Sequence, residues 1–549
     1  MSCLLAVVAC GGDPPAAIDG GADAQGGADA GPPRDWTFAE PPASTTPEGA
    51  ITREVIVLAA SDAPPNPTTG DDTPAELDRT TIVRFHGSEP ARAIVIAMPG
   101  FLGGAGSFEM LARHVVRRSI AGGTPVEVWA IDRRSNLLED RRGLDTAEVE
   151  SDPAIARGYY FGTDTIDGEA FPGFLAQQDL AYVSEWGLAT HVADLEAVIE
   201  RVPADLRQGH VFLMGHSLGG SFAETYAAWR FEDGSRGADR LAGVILIDGA
   251  QGETPLTEDE YRNGTGAGLT RSPGVDDIRS TTRTFELPLL GVAVYARAEI
   301  AAMQALFAPD DVVEDPGRDM VLSTLLSLRL TAVPAMTNEA AFGFAFDDAS
   351  NGLSFAAVSC GTHAGGPVEP YDSLFGSTLV RPSDPGATYT WIDADASDPV
   401  EQTPLANIAH SWIDGRTNFG EWYFPARLSI DLAAVGGLAV AEGSYQLEND
   451  LRARDGAAMD APVLAIAAGL RPVAGYDASR ARGAAIGPGR RHEGALRASD
   501  DAYRVVDATA MTHIDPLSAA DTDRNPAPAA IVAFVTENVL DGTVVPELP

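Results

Sequence analysis

The sequence predicts an α/β fold, in which a mostly parallel central sheet is flanked by helices on both faces. Short apolar runs of strand length alternate along the chain with longer segments of helical periodicity, and this alternation favours parallel strands joined by crossover helices. Several runs are apolar at every position, as expected for strands that are covered on both faces. The 549 residues are 45% hydrophobic and 21% charged, which is an ordinary composition for a globular protein.

Eight runs have the pattern of strands, and loops or helical segments separate them. They are Arg53–Leu58, Thr80–Phe85, Ala93–Met98, Val126–Ile131, Val211–Met214, Leu241–Ile247, Val463–Ala467 and Tyr503–Asp507. Helical periodicity predicts the elements between and after them. The predicted helices are one ending at Val116, Asp179–Val202, one that follows Ser217, Ala296–Leu306, Met320–Leu330 and Ala527–Val539.

A glycine-flanked serine follows the fifth predicted strand. Gly215, Ser217 and Gly219 form the only G-x-S-x-G pattern in the chain, with an apolar strand before it and a helical pattern after it. This context is typical of a nucleophile elbow, in which the serine hydroxyl is exposed on a strained strand-to-helix turn. The two glycines are needed there because a β-carbon would collide with the neighbouring backbone. The alternative is a turn with only a structural role.

The order of these parts resembles the α/β-hydrolase fold over roughly residues 80–250 and 460–545, interrupted by a long insertion. The resemblance implies that Ser217 is the nucleophile and that His513, on the loop after the last predicted strand, is the base. It also implies an oxyanion hole made by the backbone amides of Phe101 and Leu218. Proline stands at position 99, where the family usually has histidine.

Two aspartates are candidates for the acid that orients the histidine. Asp248 stands directly at the end of the sixth predicted strand, whereas Asp477 lies several residues beyond the seventh, later than the family usually places it. Either carboxylate would select the histidine tautomer and stabilise the imidazolium. The sequence leaves the two candidates open.

The 250–455 stretch is too long for a loop and predicts an inserted cap domain between a first core segment (51–249) and a second (456–549). An aromatic cluster within it is expected to form mostly cap core, while some members meet the substrate. The cluster comprises Trp412, Phe419, Trp422, Tyr423 and Phe424. By default, residues 132–136 are expected to order a loop near the active-site edge.

The first ten residues resemble the end of a bacterial lipoprotein leader, in which Cys10 is lipidated and attaches the protein to a membrane. A leader should also have a basic region and a longer apolar stretch than Leu4–Ala9, so either the true start lies upstream or the apolar start is accidental. Residues 11–50 are expected to form a disordered Gly-, Ala-, Asp- and Pro-rich tether. This pattern favours export to the cell envelope, the periplasm or the exterior, with a cytoplasmic protein as the alternative.

Composition excludes several classes of function. With 79 acidic against 38 basic residues, the net charge of −41 argues against nucleic-acid binding. Every basic residue is arginine, so Schiff-base lysines, the P-loop lysine and Ser-x-x-Lys hydrolases are excluded. The three cysteines (Cys3, Cys10 and Cys360) have no zinc or redox spacing, and we expect neither a metal nor a cofactor.

These observations together predict a serine hydrolase that cleaves a small carboxylic ester through an acyl-enzyme. A lipase, an amidase or peptidase, and an acyltransferase use the same triad and remain alternatives, as does a non-catalytic surface-anchored binding protein on a hydrolase scaffold. Serine at the elbow argues against the haloalkane dehalogenases and epoxide hydrolases, which use aspartate there. The sequence leaves the substrate, its acyl length and the oligomeric state open.

Overall fold

The computed structural model describes residues 51–266, 271–286, 291–313, 334–372, 377–394, 401–413, 415, 419–482, 502–540 and 545. The predicted leader (1–10), the predicted tether (11–50) and the predicted helix Met320–Leu330 lie outside the described residues.

An eight-stranded sheet forms the centre of the protein. Its strands are β1 (Thr52–Ala59), β2 (Arg79–His86), β3 (Ala93–Met98), β4 (Val126–Asp132), β5 (Val211–His216), β6 (Gly243–Ile247), β7 (Val463–Ala467) and β8 (Tyr503–Asp507). Their spatial order is β1-β2-β4-β3-β5-β6-β7-β8. β2 runs antiparallel to β1 and β4, and the other neighbouring pairs are parallel. The predicted mostly parallel sheet is confirmed.

Both faces of the sheet are covered by helices, as predicted. The main covering helices are α1 (Glu109–Ala121), α2 (Leu188–Ile199), α3 (Leu218–Ala227) and α4 (Pro526–Asn538). Alternate residues of β3 point to opposite faces, so Ile94 and Ile96 pack with α2 and α3, whereas Val95 and Ala97 pack with α1 and α4. The strand is buried at every position because both of its faces belong to a core.

Further α-helices and strand pairs occur in the described part of the chain, together with short 3₁₀ segments. The other α-helices are Arg142–Glu150, Pro153–Phe161, Ala204–His210, Glu258–Asn263, Val275–Ser280, Ala293–Phe307, Asn338–Phe346, Leu405–Ile413, Ala426–Ala434, Tyr445–Glu448, Asp477–Arg482 and Asp515–Ser518. Four antiparallel pairs lie outside the main sheet: Thr165–Ile166 with Glu169–Ala170, Val312–Val313 with Met336–Thr337, Gly361–Ala364 with Thr390–Asp393, and Val368–Asp372 with Thr378–Pro382. Within the described residues, no helix combines the length and apolarity needed to cross a bilayer.

The single helix predicted over Asp179–Val202 is wrong, because the chain breaks at Gly187. A 3₁₀ segment, Gln177–Glu185, precedes α2, and Gly187 between them is extended (φ −92°, ψ −160°). The Asp431 carboxylate explains the break. It accepts a hydrogen bond from the Leu188 amide at 3.0 Å, and a β-carbon on Gly187 would lie 2.2 Å from its Oδ2.

Most of the predicted cap insertion packs around a second hydrophobic cluster. Trp391, Trp412 and Trp422 belong to it, together with Leu137 and Trp186 from the segment that follows β4. The last part of the predicted insertion packs elsewhere. The helix Ala426–Ala434 contributes its apolar side chains to the core of the main sheet.

Candidate active site

The elbow has the geometry that the glycine pattern predicts. Ser217 has φ 55° and ψ −120°, a strained conformation for a residue with a side chain, and its amide donates to the Ile247 carbonyl at 2.8 Å. A β-carbon on Gly219 would lie 2.1 Å from the Met98 carbonyl oxygen, and one on Gly215 would lie 2.0 Å from the Gly219 carbonyl oxygen. Only glycine fits at both positions, because the first turn of α3 lies against Gly215 and the end of β3 lies against Gly219.

His513 and Asp248 form a buried pair. The Nδ1 atom of His513 lies 2.6 Å from Oδ2 of Asp248, and both residues are almost completely buried. The carboxylate also accepts hydrogen bonds from three backbone amides of the loop after β7. Their lengths are 3.0 Å from Ala468, 2.9 Å from Leu470 and 2.7 Å from Arg471. Four donors therefore hold the carboxylate against the imidazole.

These donors determine the charge state of Asp248. Burial acts to raise its pKa, but the hydrogen bond and charge of His513, together with the backbone amides, outweigh burial and hold the pKa below its usual value. Asp248 is accordingly an anion beside the ring. An anion at this position favours a proton on Nδ1, which leaves Nε2 as the unprotonated nitrogen of the neutral ring.

The structure does not bring Asp477, the other candidate acid, to His513. Asp477 is exposed and begins a short helix, Asp477–Arg482. The first residues of the loop after β7 wrap around Asp248, and no hydrogen bond joins Asp477 to His513 among the described residues. The pairing of His513 with Asp248 depends on this loop path, which no local pattern shows.

His216, the neighbour of the serine, supports the histidine loop. Its Nε2 lies 3.0 Å from the backbone carbonyl oxygen of His513, and the two rings are 4.4 Å apart. Burial, followed by the charge of His513, lowers the pKa of His216 to about 3. A neutral His216 donates to that carbonyl at physiological pH, and so it anchors the loop without adding a second positive charge.

The loop after β3 is held from below by Arg133. The guanidinium donates to the carbonyl oxygens of Gly103 at 2.9 Å and Gly100 at 3.0 Å, and also to that of Pro99. Its charge is paired with Glu421, at 2.6 Å, and both side chains are buried. Residues 132–136 were expected to order a loop near the active-site edge. Arg133 orders the loop after β3, which contains Phe101, the residue expected to supply one oxyanion amide.

The predicted insertion takes part directly in this loop. Gly420 pairs with Gly103 in an antiparallel bridge, the Glu421 amide donates to Leu102, and the Gly104 amide donates to Phe419. Sequence reasoning missed the role of Glu421, since 288 positions separate it from Arg133 and no motif connects them.

Two cavities meet at the serine and the histidine. The first, called here the apolar cavity, encloses about 850 Å³ of empty space, part of it open to solvent. Apart from Asn351 and the site residues, its walls are mostly apolar and include Val294, Tyr295, Phe346, Leu353, Trp412 and Phe419. Of the predicted aromatic cluster, Trp412 and Phe419 thus line a cavity, whereas Trp422, Tyr423 and Phe424 are packed in the protein cores.

The second cavity, called here the polar cavity, encloses about 740 Å³ of empty space. Ser217, His513 and Phe355 line both cavities. The remaining walls include the polar residues Ser221, Asp248, Gln251, Ser354 and Arg471.

The predicted oxyanion residues face these cavities. Phe101 lines the apolar cavity and Leu218 the polar one. Neither backbone amide donates a hydrogen bond to an acceptor in the part of the chain that the structure describes. Both N–H groups are therefore left without an internal acceptor among the described residues.

The strand order, the elbow after β5 and the histidine after β8 are those of the α/β-hydrolase fold. No family model and no curated protein matches the sequence. Among the described residues, no group of three or more histidine, cysteine or acidic side chains is arranged to hold a metal.

Similar solved structures share this fold and are distant in sequence. A Sulfolobus solfataricus protein proposed to be a lipase is 13% identical, with 89% of this chain and 93% of that chain covered and a TM-score of 0.42. The peroxisomal α/β-hydrolase of Saccharomyces cerevisiae is 10% identical, with 91% and 93% covered and a TM-score of 0.37. A thermophilic esterase from Thermogutta terrifontis is 12% identical, with 87% and 96% covered and a TM-score of 0.31.

Proposed function

We propose that this protein is a serine hydrolase that cleaves carboxylic esters through an acyl-enzyme intermediate. One observation carries the proposal. A serine on a strained elbow and a histidine paired at 2.6 Å with a buried carboxylate line the same cavities. A serine hydroxyl is a poor nucleophile until a base takes its proton, and an imidazole oriented by a carboxylate is such a base.

The proposed reaction has two steps, acylation of Ser217 and hydrolysis of the acyl-enzyme, and the same groups act in both. Ser217 Oγ attacks the ester carbonyl carbon while His513 Nε2 takes its proton, and the amides of Phe101 and Leu218 bind the oxyanion. The resulting imidazolium, stabilised by Asp248, donates its proton to the departing alcohol and leaves the acyl group on Ser217. Water, deprotonated by His513, then attacks the acyl carbonyl and releases the acid and the free serine.

The apolar cavity is the proposed site of the acyl chain. Its walls are aliphatic and aromatic close to the Phe101 loop, and burial of each methylene there contributes about 0.8 kcal/mol. We therefore expect kcat/KM to rise with acyl length on p-nitrophenyl acetate, butyrate and hexanoate, until the chain exceeds the cavity.

The test is labelling of the purified protein with a fluorophosphonate, followed by mapping of the modified peptide. The peptide containing Ser217 should carry the label, Ser217→Ala should abolish labelling and turnover, and Ser280→Ala should leave both unchanged, since Ser280 is exposed and far along the chain from the site. No labelling, together with no turnover of the graded esters, would reject the hydrolase and favour the binding-protein alternative.

A further inference from the structure

Among the described residues, an arginine without an acidic partner lines the polar cavity, which the proposed nucleophile also lines. Arg471 lines this cavity with Ser217 and His513. Its Nη1 donates only a long hydrogen bond of 3.3 Å, to the Ala250 carbonyl, and its buried Nε has no acceptor. The guanidinium lies over the ring of Tyr476, 5.2 Å from the ring centroid, which fixes its position without neutralising its charge.

Neighbouring arginines are neutralised by carboxylates, and Arg471 is not. Arg482 pairs with Glu224 at 2.8 Å, and Arg427 pairs with Asp431 at 2.7 Å. Among the described residues, Arg471 forms no ion pair, although the chain has 79 acidic side chains against 38 basic ones. A half-buried cation in so acidic a protein is usually paired, because desolvation of a lone charge is unfavourable.

The acidic groups near the cavity are already engaged. Asp248 lines it, but its oxygens accept from His513 and three backbone amides. Glu224 accepts from Arg482 and from the Gln251 amide. Neither carboxylate forms an ion pair with the Arg471 guanidinium, so its charge is left for a ligand anion to pair.

We propose that Arg471 binds a carboxylate on the alcohol half of the substrate, so that the natural ester joins an apolar acyl group to an anionic alcohol. This inference rests on the proposed function. The two cavities differ in chemistry. The apolar cavity contains Phe101 and apolar walls, so it takes the acyl group in this proposal. The polar cavity, which shares Ser217, His513 and Phe355 with it, takes the alcohol. His513 lines both cavities, where it protonates the departing alcohol oxygen.

A matched pair of esters tests the proposal. The substrates are 4-carboxyphenyl hexanoate and its uncharged counterpart 4-carbamoylphenyl hexanoate, with the meta isomers included to vary the reach of the charge. Each rate is divided by that of uncatalysed hydrolysis, which corrects for the different leaving groups. The proteins are the wild type, Arg471→Gln, Arg471→Lys and, as a control with the same loss of charge, Arg201→Gln, which is exposed after α2.

We expect the wild type to prefer a carboxylate ester over its amide by about 10- to 100-fold in kcat/KM, the usual contribution of a charge-assisted hydrogen bond. Arg471→Gln should lower this ratio to near one, because the carboxylate ester loses far more rate than the neutral ester when the guanidinium is removed. Arg471→Lys should keep an intermediate ratio, and Arg201→Gln should keep the full one. A ratio that Arg471→Gln leaves unchanged, with or without an equal loss of rate on both esters, would overturn the proposal.

A binding measurement separates this proposal from the proposed function. Calorimetric titration of 4-carboxyphenyl hexanoate into Ser217→Ala should give a Kd at least tenfold lower than titration into the Ser217→Ala, Arg471→Gln double variant. Equal affinities would overturn the role of Arg471 even if the protein hydrolyses esters. A difference in affinity without any hydrolysis by the wild type would reject the hydrolase and retain the anion site.

Discussion

Replacing Asp248 by asparagine tests the central pair, and the structure determines the expected orientation of the new side chain. Oδ1 accepts the amides of Ala468 and Arg471, and Oδ2 accepts Leu470 and the ring of His513. We expect an asparagine to keep its oxygen at the Oδ1 position, where two backbone N–H groups donate. In the reverse orientation its NH₂ group would face both of these donors, whereas at the Oδ2 position it faces only the Leu470 amide.

This orientation predicts a large loss of rate. The NH₂ group then faces Nδ1 of His513, which must become an acceptor, so that the proton moves to Nε2 and the ring no longer accepts the serine proton. We expect kcat to fall by about 10³- to 10⁴-fold, or about 4–5.5 kcal/mol in activation free energy. The Leu470 amide loses its acceptor, which should lower the free energy of unfolding by about 1–3 kcal/mol.

The assay is steady-state turnover of p-nitrophenyl butyrate together with urea unfolding of each variant. Asp477→Asn is the matched control and should keep both rate and stability, because that carboxylate is exposed and lies away from His513. A well-folded Asp248→Asn variant that retains more than about a tenth of the wild-type kcat would refute the assignment of Asp248 as the acid.

Three further outcomes are expected. Glu421→Gln removes the charge that pairs with the Arg133 guanidinium against the loop after β3, the proposed source of one oxyanion amide. The kcat should therefore fall about 10- to 100-fold with little change in KM, and a change in KM alone would contradict this reasoning. Gly219→Ala sets a β-carbon 2.1 Å from the Met98 carbonyl and should abolish soluble, active protein, whereas Gly252→Ala, with open space around it, should express and melt like the wild type. Folding lowers the pKa of Asp248, so the stability that its ionised form contributes is complete above the usual aspartate pKa of about 3.9 and is lost as the pH falls through the lowered value. The free energy of unfolding in urea should therefore depend less on pH below about 4 for Asp248→Asn than for the wild type.

The backbone plan of this protein could be predicted from the sequence because local patterns encode it. The runs Ala93–Met98, Val463–Ala467 and Tyr503–Asp507 agree residue for residue with strands of the structure. The first two are apolar at every position and buried between two covered faces, whereas the third is an edge strand with polar residues at positions 504 and 507. The elbow could also be recognised locally, because its glycine-flanked serine is a motif of adjacent residues, although the requirement for glycine at position 219 comes from the Met98 carbonyl of β3. The helix predicted across Gly187 failed because a side chain from residue 431 ends it.

By itself the sequence determined the fold class and the candidate serine and histidine, since each follows from adjacent residues or from chain order. Only the tertiary structure placed Asp248, and not Asp477, against His513 and joined Arg133 to Glu421. It also set Arg471 in a cavity shared with the serine, without an acidic partner among the described residues. These pairings connect residues that are hundreds of positions apart. Their energies depend on which groups share a desolvated space after the chain has packed, and periodicity within one element carries no information about that space.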